Sequence, residues 1–285
     1  MRGISMSQTI ALICSFIFLL STGLSAETKL YDAIVIGGGI SGMSAAYELK
    51  KTGHTVLLLE GSDHVGGRLI SDEIEGIPFD WAAQVIAKNA ESMKPLVTEL
   101  ELEDELIEIS SKVTYKRGNK LVQIDLKKPW TLFTSGLLDI RWSSSILSLF
   151  FDLPRLLVGT PWLHPNDFSK WWMLDKGNAS TFASKYFDQD SIDYFLEPTL
   201  SSFFYTSLEE SSQAFLLWYF TILGGGTPFY TLKNGLGSIT PKLAAKIDYK
   251  LNSIVSKVEE QQDHVSIQTK GGASYQTKYV VLAAP

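Results

Sequence analysis

Three glycines and one acidic residue near the start of the chain have the spacing of a phosphate-binding turn. Gly37, Gly39 and Gly42 follow an apolar run in a G-x-G-x-x-G pattern, and Glu60 comes 23 residues after Gly37. Glycine at the first position allows a tight turn, at the second it lets the backbone approach a pyrophosphate, and at the third it lets a helix pack closely. A carboxylate at that distance can accept hydrogen bonds from ribose hydroxyls. The pattern predicts a dinucleotide-binding site.

The elements that would position these residues lie in the same stretch. The apolar run Ala33–Ile36 leads into the glycines, a helical pattern follows, and a second apolar run, Val56–Leu59, ends at Glu60. Strand, turn, helix and strand form a βαβ unit, and the free N–H groups at the helix start, near Ile40 and Ser41, carry a partial positive charge. The predicted fold class is therefore α/β, with a Rossmann-like domain. A glycine turn with a purely structural role is the alternative.

A second glycine loop follows the second strand. Gly66 and Gly67 are adjacent and directly precede Arg68. Two glycines let the backbone approach a ligand, and the arginine places a permanent, bidentate cation beside the first turn. The loop therefore indicates a second contact to phosphate. An ordinary Gly-Gly turn with a surface arginine explains the same residues.

The glycine turn, the acid and the Gly-Gly-Arg loop, in this order, resemble the flavin-dependent amine oxidase superfamily, which includes monoamine oxidases, protoporphyrinogen oxidases and phytoene desaturases. Phe79–Gln84 resembles a family segment that runs beneath the flavin, although Ala82 stands where the family usually has glycine. Val255 matches an apolar residue near the adenine. The resemblance implies FAD as the cofactor, with Glu60 on the adenosine ribose and Arg68 near the pyrophosphate and flavin.

Pattern and resemblance together define a set of predicted cofactor-binding residues. These are Gly37, Gly39, Ile40, Ser41, Gly42, Glu60, Gly66, Gly67, Arg68, Ala83, Gln84 and Val255. No catalytic residue is predicted. In the family, the catalytic residues lie in part in a C-terminal segment, which we expect beyond Pro285. Asp80 and Glu197 are carboxylates for which a turn or helix-end role is the favoured interpretation.

The expected domain organisation also follows the family. Residues 27–88 and 225–285 would form the two parts of an FAD-binding domain, and residues 89–224 an inserted, mainly helical substrate domain rich in aromatic side chains. Within the insertion the pattern predicts a helix from Met93 to Leu106 and a hairpin from Val113 to Ile124. Large aromatic side chains suit a cavity for an apolar or planar substrate.

Composition excludes several classes of function. The net charge is −6 and basic residues form no long stretch, so we expect no nucleic-acid partner. Cys14 is the single cysteine, and the four histidines have no metal-ligand spacing, so no metal site is predicted. The expected partner is a small-molecule substrate, and the oligomeric state is left open.

Two apolar stretches suggest contact with a membrane. Arg2, the apolar run Ile10–Leu20 and the small residues Leu24-Ser25-Ala26 are typical of a signal peptide over residues 1–26, and an uncleaved anchor through residues 10–24 is the alternative. We therefore expect an exported protein, periplasmic or secreted, or a membrane-anchored one. The run Ser144–Val158 could rest on a membrane surface, although core helices are the favoured interpretation.

The resemblance implies an FAD-dependent oxidoreductase. It would oxidise an amine, or an apolar or planar small molecule, by hydride transfer to the flavin, with O2 as the electron acceptor. One alternative is a truncated, catalytically inactive FAD-binding module. A weaker alternative is an NAD-dependent dehydrogenase, against which the loop Gly66–Arg68 argues.

Overall fold

The computed structural model describes residues 29–88, 90–128, 130–138, 144–160, 167–224 and 228–284. The predicted signal peptide or anchor at residues 1–26, with Cys14, lies outside these residues. The contacts between residues divide the described chain into two compact units. The first unit is drawn from Met1–Gln84, Val97–Glu103 and Leu232–Pro285, and the second from Val85–Leu96 and Asp104–Thr231.

The described chain contains strands throughout and α-helices in both units. The strands are β1 (Leu30–Ile36), β2 (Val56–Leu59), β3 (Ser71–Ile74), β4 (Ile77–Asp80), β5 (Ile86–Ala87), β6 (Leu106–Glu108), β7 (Lys112–Arg117), β8 (Lys120–Asp125), β9 (Phe229–Leu232), β10 (Tyr249–Lys250), β11 (Val255–Glu260), β12 (Val265–Thr269) and β13 (Ser274–Leu282). The helices are α1 (Ile40–Lys51), α2 (Met93–Glu99), α3 (Thr131–Thr134), α4 (Ser144–Leu157), α5 (Ala179–Tyr186), α6 (Gln189–Ser191), α7 (Glu197–Phe204), α8 (Gln213–Gly224) and α9 (Ile239–Ala244).

The first unit is built on a six-stranded sheet in the order β10-β2-β1-β13-β12-β11. Strands β10, β2, β1 and β13 are parallel, and β12 and β11 continue the sheet as an antiparallel meander. Ile34 of β1 lies opposite Leu57 on one side and Val280 on the other. Most residues of the two apolar runs predicted as strands are buried, which is typical of parallel strands. The predicted α/β class is confirmed.

Helix α1 packs on this sheet through a narrow stripe of small and apolar residues. Gly42, Met43 and Ala46 are its buried residues, and Met43 is 1% exposed. Lys50 and Lys51 lie in its last turn, where the negative end of the helix dipole stabilises positive charge. The helix thus begins at the glycine turn and is fixed along its length against the strands that lead into that turn.

The helix predicted from Met93 to Leu106 is shorter in the structure, where α2 ends at Glu99. Glu101 adopts a left-handed conformation, with φ of 55°. The N–H of Leu102 donates to the carbonyl of Val97 at 3.0 Å, and the N–H of Glu101 donates to that of Thr98 at 3.0 Å. This pair of bonds is a Schellman C-cap, which stops the helix without a glycine to signal it in the sequence.

The second unit combines small β-sheets with helices around an aromatic and aliphatic core. The predicted hairpin is confirmed, since Val113 of β7 pairs with Ile124 of β8. Helix α8 has apolar residues around nearly its whole circumference, which is typical of a buried helix, and Leu216 and Leu217 are fully buried.

A π-helical turn, Ile192–Leu196, joins α6 to α7. Pro198 follows it closely and has no N–H to continue the regular pattern of hydrogen bonds. The N–H of Glu197 donates to the carbonyl of Ile192, five residues earlier, so the chain absorbs the proline by widening one turn.

Helix α4 covers most of the apolar stretch Ser144–Val158, and Pro154 lies inside it. Among the helices of the described residues, none combines the length and apolar character needed to cross a bilayer. Phe151 and Val158 are exposed, whereas Leu157 is buried in the core of the second unit. Contact of this stretch with a membrane surface stays a prediction.

Candidate cofactor-binding site

The three glycines of the first turn have different surroundings. A methyl group on Gly42 would overlap the carbonyl oxygen of Gly37, and one on Gly37 would lie 2.7 Å from the carbonyl oxygen of Ala283. Gly37 also has a φ of 110°, which disfavours any other residue. At Gly39, in contrast, a methyl group would meet nothing within 4 Å. Gly37 and Gly42 therefore let the turn pack, and Gly39 faces open space.

Within the described residues, the start of α1 has no side-chain cap. Its N-cap is Gly39, which has no side chain to accept a hydrogen bond, and its first turn contains no acidic residue. Ser41 is exposed and Ile40 is half-buried. Uncapped N–H groups and the positive end of the helix dipole attract anions.

Glu60 lies at the end of β2, directly beside the glycine turn. Its carboxylate accepts hydrogen bonds from the N–H of Gly38 and, through Oε1, from the N–H and the hydroxyl of Ser62, both at 2.8 Å. Burial raises the pKa of the Glu60 carboxyl, but hydrogen bonds from the amides of Ser62, Gly38 and Gly61 and from the Ser62 hydroxyl outweigh it and lower the pKa. Glu60 is therefore held ionised at the mouth of the turn.

The second glycine loop packs on the first. The N–H of Gly66 donates to the carbonyl of Gly38 at 2.7 Å, and Gly39 and Gly66 form an isolated parallel β-bridge. A methyl group on Gly67, where φ is 57°, would lie 3.1 Å from the Cα of Gly39. Glycine is required because the two backbones lie against each other.

Arg68 follows this contact and is exposed. Within the described residues its guanidinium has neither an ion-pair nor a hydrogen-bond partner. An unpaired arginine beside an uncapped helix start can bind an anion with two parallel hydrogen bonds.

The remaining predicted residues lie at different distances from the turn. The N–H of Ala83 donates to the carbonyl of Arg68 at 3.2 Å, which places Ala83 against the second loop. Gln84 is exposed and makes no hydrogen bond within the described part of the chain. Val255 begins β11 and packs on the core around Ile34. The structure thus joins Ala83 to the glycine loops, but it shows no such hydrogen bond for Gln84 or Val255.

Several residues that hold the candidate site together were not predicted from the sequence. The backbone N–H and the hydroxyl of Ser62 both donate to the carboxylate of Glu60. Backbone N–H groups of Asn252 and Ser253 donate to the carbonyls of Ser62 and Glu60, each at 2.8 Å. Asn252, in a left-handed conformation with φ of 52°, was the available signal, because asparagine tolerates that conformation.

A parallel sheet whose first βαβ unit presents a glycine turn, an uncapped helix start and an ionised acid defines a dinucleotide-binding protein. The comparison with protein families specifies the class of dinucleotide-binding protein more closely. Residues 40–285 match the family model "Flavin containing amine oxidoreductase". The chain belongs to this family of FAD-dependent oxidoreductases, which confirms the resemblance seen in the sequence and identifies the cofactor as FAD.

Individual relatives agree with this assignment. The chain is 28% identical over 276 residues to a probable flavin-containing monoamine oxidase A of Dictyostelium discoideum, covering 90% of this chain and 58% of the relative. It is 26% identical to the flavin-containing amine oxidase A of Canis lupus familiaris, covering 92% and 51%. The chain therefore spans about half the length of the curated relatives it matches.

The fold agrees with that of a solved enzyme structure. Cyclohexylamine oxidase from Brevibacterium oxydans IH-35A superimposes with a TM-score of 0.69 at 20% identity, covering 90% of this chain and 58% of that chain. At this identity the match concerns the fold.

Proposed function

We propose that this protein is an FAD-dependent oxidoreductase that oxidises an amine, or an apolar or planar small molecule, with O2 as the electron acceptor, and that its first unit binds the adenosine end of FAD. Family membership supports the cofactor and the class of enzyme. The observation that carries the proposal is the contact between the two glycine loops at Gly39 and Gly66, with the ionised Glu60 beside them. A nicotinamide-dependent dehydrogenase has no need of the second loop.

The residues present fit FAD. The space next to the Cα of Gly39 is open, whereas Gly37 and Gly42 are closely packed. In the proposed site the N–H groups at the start of α1 and the Arg68 guanidinium bind the pyrophosphate. Glu60 accepts hydrogen bonds from the adenosine ribose through lone pairs not used by Gly38 and Ser62, and its charge repels a 2′-phosphate. Bound FAD would supply the acceptor for a hydride from the substrate.

The second unit is proposed to hold the substrate. It contains a group of aromatic rings in tilted and edge-to-face contacts, with centroids of Phe204 and Phe215 4.9 Å apart and of Phe204 and Tyr219 5.3 Å apart. In the proposed site, rings at the edge of this core would offer an apolar wall to the substrate. Two compared proteins are described as an amine oxidase and a cyclohexylamine oxidase. An amine is therefore the substrate class to test first.

Titration of the purified 285-residue chain with FAD tests the cofactor. We expect quenching of the flavin fluorescence, saturation at one FAD per chain and a yellow protein after gel filtration. A folded protein that ignores FAD would contradict the proposal. Transfer of protein fluorescence to added NADH, with no response to FAD, would favour the dehydrogenase instead.

A second measurement separates an enzyme from a binding module. The FAD-loaded chain is mixed with a series of primary amines without oxygen, and the loss of the flavin absorption band is followed. Bleaching by an amine, reversed on admission of O2, is the expected result. A stable yellow complex that no amine bleaches would leave FAD binding intact and favour the inactive module.

The location of the protein belongs to the proposal as well. We propose export to the periplasm or beyond, or attachment to a membrane through residues 10–24, as the sequence pattern of residues 1–26 suggests. Sequencing the N-terminus of the mature protein distinguishes the two: a start near Glu27 indicates cleavage, and an intact start indicates an anchor.

A further inference from the structure

The hairpin β3–β4 lies between Arg68, the last residue of the second glycine loop, and Ala83, which contacts that loop. Its first residue, Ser71, comes three positions after Arg68, and its last, Asp80, comes three positions before Ala83. At the base of the hairpin, the N–H of Trp81 donates to the carbonyl of Ile70 at 3.0 Å. The N–H of Ala83 reaches the carbonyl of Arg68 itself. The position of the Arg68 backbone therefore depends on the base of this hairpin.

Ser71 and Asp80 tie the base of the hairpin to a distant turn. The Ser71 hydroxyl donates to the Asp80 carboxylate and accepts from the N–H of Gly237 at 2.6 Å. The same oxygen of Asp80 also accepts from the N–H of Leu236 at 2.9 Å. The Ser71 hydroxyl both donates and accepts, whereas Asp80 only accepts, so the network needs the serine hydroxyl and an acceptor oxygen at position 80 together.

The turn fits these two side chains so closely that it must contain glycine. A methyl group on Gly237 would lie 2.6 Å from the backbone nitrogen of Ser71, and one on Gly235 would lie 2.9 Å from an oxygen of Asp80. Gly235 also has a φ of 80°. The contact is therefore a fitted backbone surface and not a chance meeting of polar side chains.

The turn leads directly into α9, which clamps the second loop from the other side. The hydroxyl of Thr240 donates to the carbonyl of Leu69 at 3.3 Å. A methyl group on Gly66 would lie 2.9 Å from the same hydroxyl oxygen. The loop Gly66–Arg68 is thus held between the first glycine turn and Thr240.

We propose that Ser71 and Asp80 are positioning residues for FAD. By fixing the turn Gly235–Gly237 to the base of the hairpin, they hold the Gly66–Arg68 loop against Gly39, so that Arg68 and the start of α1 meet the same pyrophosphate. This inference rests on the proposed function, because it concerns the same cofactor site. Within the described residues, neither side chain forms a hydrogen bond with the first glycine turn, so we infer that both act through the loop.

FAD titrations of Ser71→Ala and Asp80→Ala chains test the proposal. Each variant should lose about tenfold or more in FAD affinity. Ser71→Ala removes the acceptor of the Gly237 N–H and a donor to Asp80. Asp80→Ala removes the acceptor of the Ser71 hydroxyl and of the Leu236 N–H. Asp80→Asn keeps the shape and one acceptor oxygen, so it should recover most of the affinity. The visible circular dichroism of the saturated flavin should change in the alanine variants, because the ring would sit in an altered environment.

Asp32→Asn is the matched control for stability. Asp32 also joins distant parts of the first unit, through Lys278 at 2.7 Å and Thr55 at 2.7 Å, but it lies near the start of β1, away from the turn. This variant should lower the thermal midpoint of the FAD-free chain and leave the FAD dissociation constant within about twofold, because its contacts are remote from the site.

A double-mutant cycle with Arg68→Ala identifies the route of the effect. If Asp80 acts by placing Arg68, then Asp80→Ala should cost little further affinity once Arg68 is absent. Full affinity in both alanine variants, or effects of Asp80→Ala and Arg68→Ala that simply add, would overturn the proposal. Failure of both alanine variants to fold would overturn it too, since the bonds would then hold the unit together. A wild-type chain that binds no FAD would instead refute the proposed function.

Discussion

The carboxylate of Glu60 accepts a hydrogen bond from the backbone N–H of Gly38, across the mouth of the glycine turn. The sequence predicted a ribose contact for this acid, and that contact remains a prediction. The structure adds a second role, because the carboxylate also holds the turn and the Ser62 backbone in place. A group that shapes a site and also binds its ligand would couple the folding of the site to binding.

The first prediction concerns pH. The pKa of Glu60 is lowered below the ordinary value of 4.5, so its contribution to stability is complete above that value and is lost as the pH falls through the lower pKa of the folded state. In Glu60→Gln this part of the dependence disappears. Thermal midpoints measured from about pH 6 to 3 should therefore fall less steeply in the variant. Identical slopes in the two proteins would show that Glu60 is not held ionised.

The second prediction separates two glycines of one motif. Gly42→Ala should lower the free energy of unfolding by about 1–3 kcal/mol, because its methyl group overlaps the Gly37 carbonyl. Gly39→Ala should change it by less than about 0.5 kcal/mol, since its methyl group meets open space, yet it should weaken FAD binding at least tenfold. Urea denaturation and FAD titration check both variants. Equal FAD affinity in Gly39→Ala and wild type would contradict the position of the pyrophosphate.

The third prediction concerns Arg68. Its guanidinium is exposed and has no hydrogen-bond or ion-pair partner among the described residues. Arg68→Ala should therefore leave the urea midpoint unchanged. FAD affinity should fall by about tenfold to a hundredfold, because a bidentate contact to phosphate is lost. Arg68→Lys should recover only part of it, since a lysine cannot form two parallel bonds. Full recovery by lysine would indicate a charge effect alone.

The fourth prediction concerns two buried tyrosines of the second unit. Within the described residues the Tyr219 hydroxyl has no partner, whereas the Tyr115 hydroxyl is 2.9 Å from that of Thr199. Burial raises the pKa of Tyr219, and the neighbouring Tyr115 raises it further, so the phenol stays neutral. Tyr219→Phe should therefore be neutral or stabilising, while Tyr115→Phe should lose about 0.5–1.5 kcal/mol. A loss in Tyr219→Phe as large as in Tyr115→Phe would indicate a buried water at Tyr219.

Local patterns in the sequence were enough to predict the strands β1 and β2, the helix between them and the hairpin β7–β8. Each of these depends on neighbouring residues, through apolar runs, glycine turns and alternation, so the information is contained in short windows. The family and its cofactor could be recognised for the same reason, since the glycines, the acid and the Gly-Gly-Arg loop lie within about 30 residues of sequence.

Other features depended on contacts that no local window contains. The end of α2 at Glu99 is different, because its Schellman cap lies within residues 97–102, but it needs a left-handed glutamate, a conformation that sequence propensity disfavours. The different roles of Gly39 and Gly42 follow from what surrounds each Cα, including the distant Ala283. The four-residue network of Ser71, Asp80, Leu236 and Gly237 spans more than 150 positions of the chain. The sequence determined which loops can approach phosphate, and the tertiary structure decided what holds them together, because hydrogen bonds between remote residues form only when the sheet has brought them within reach.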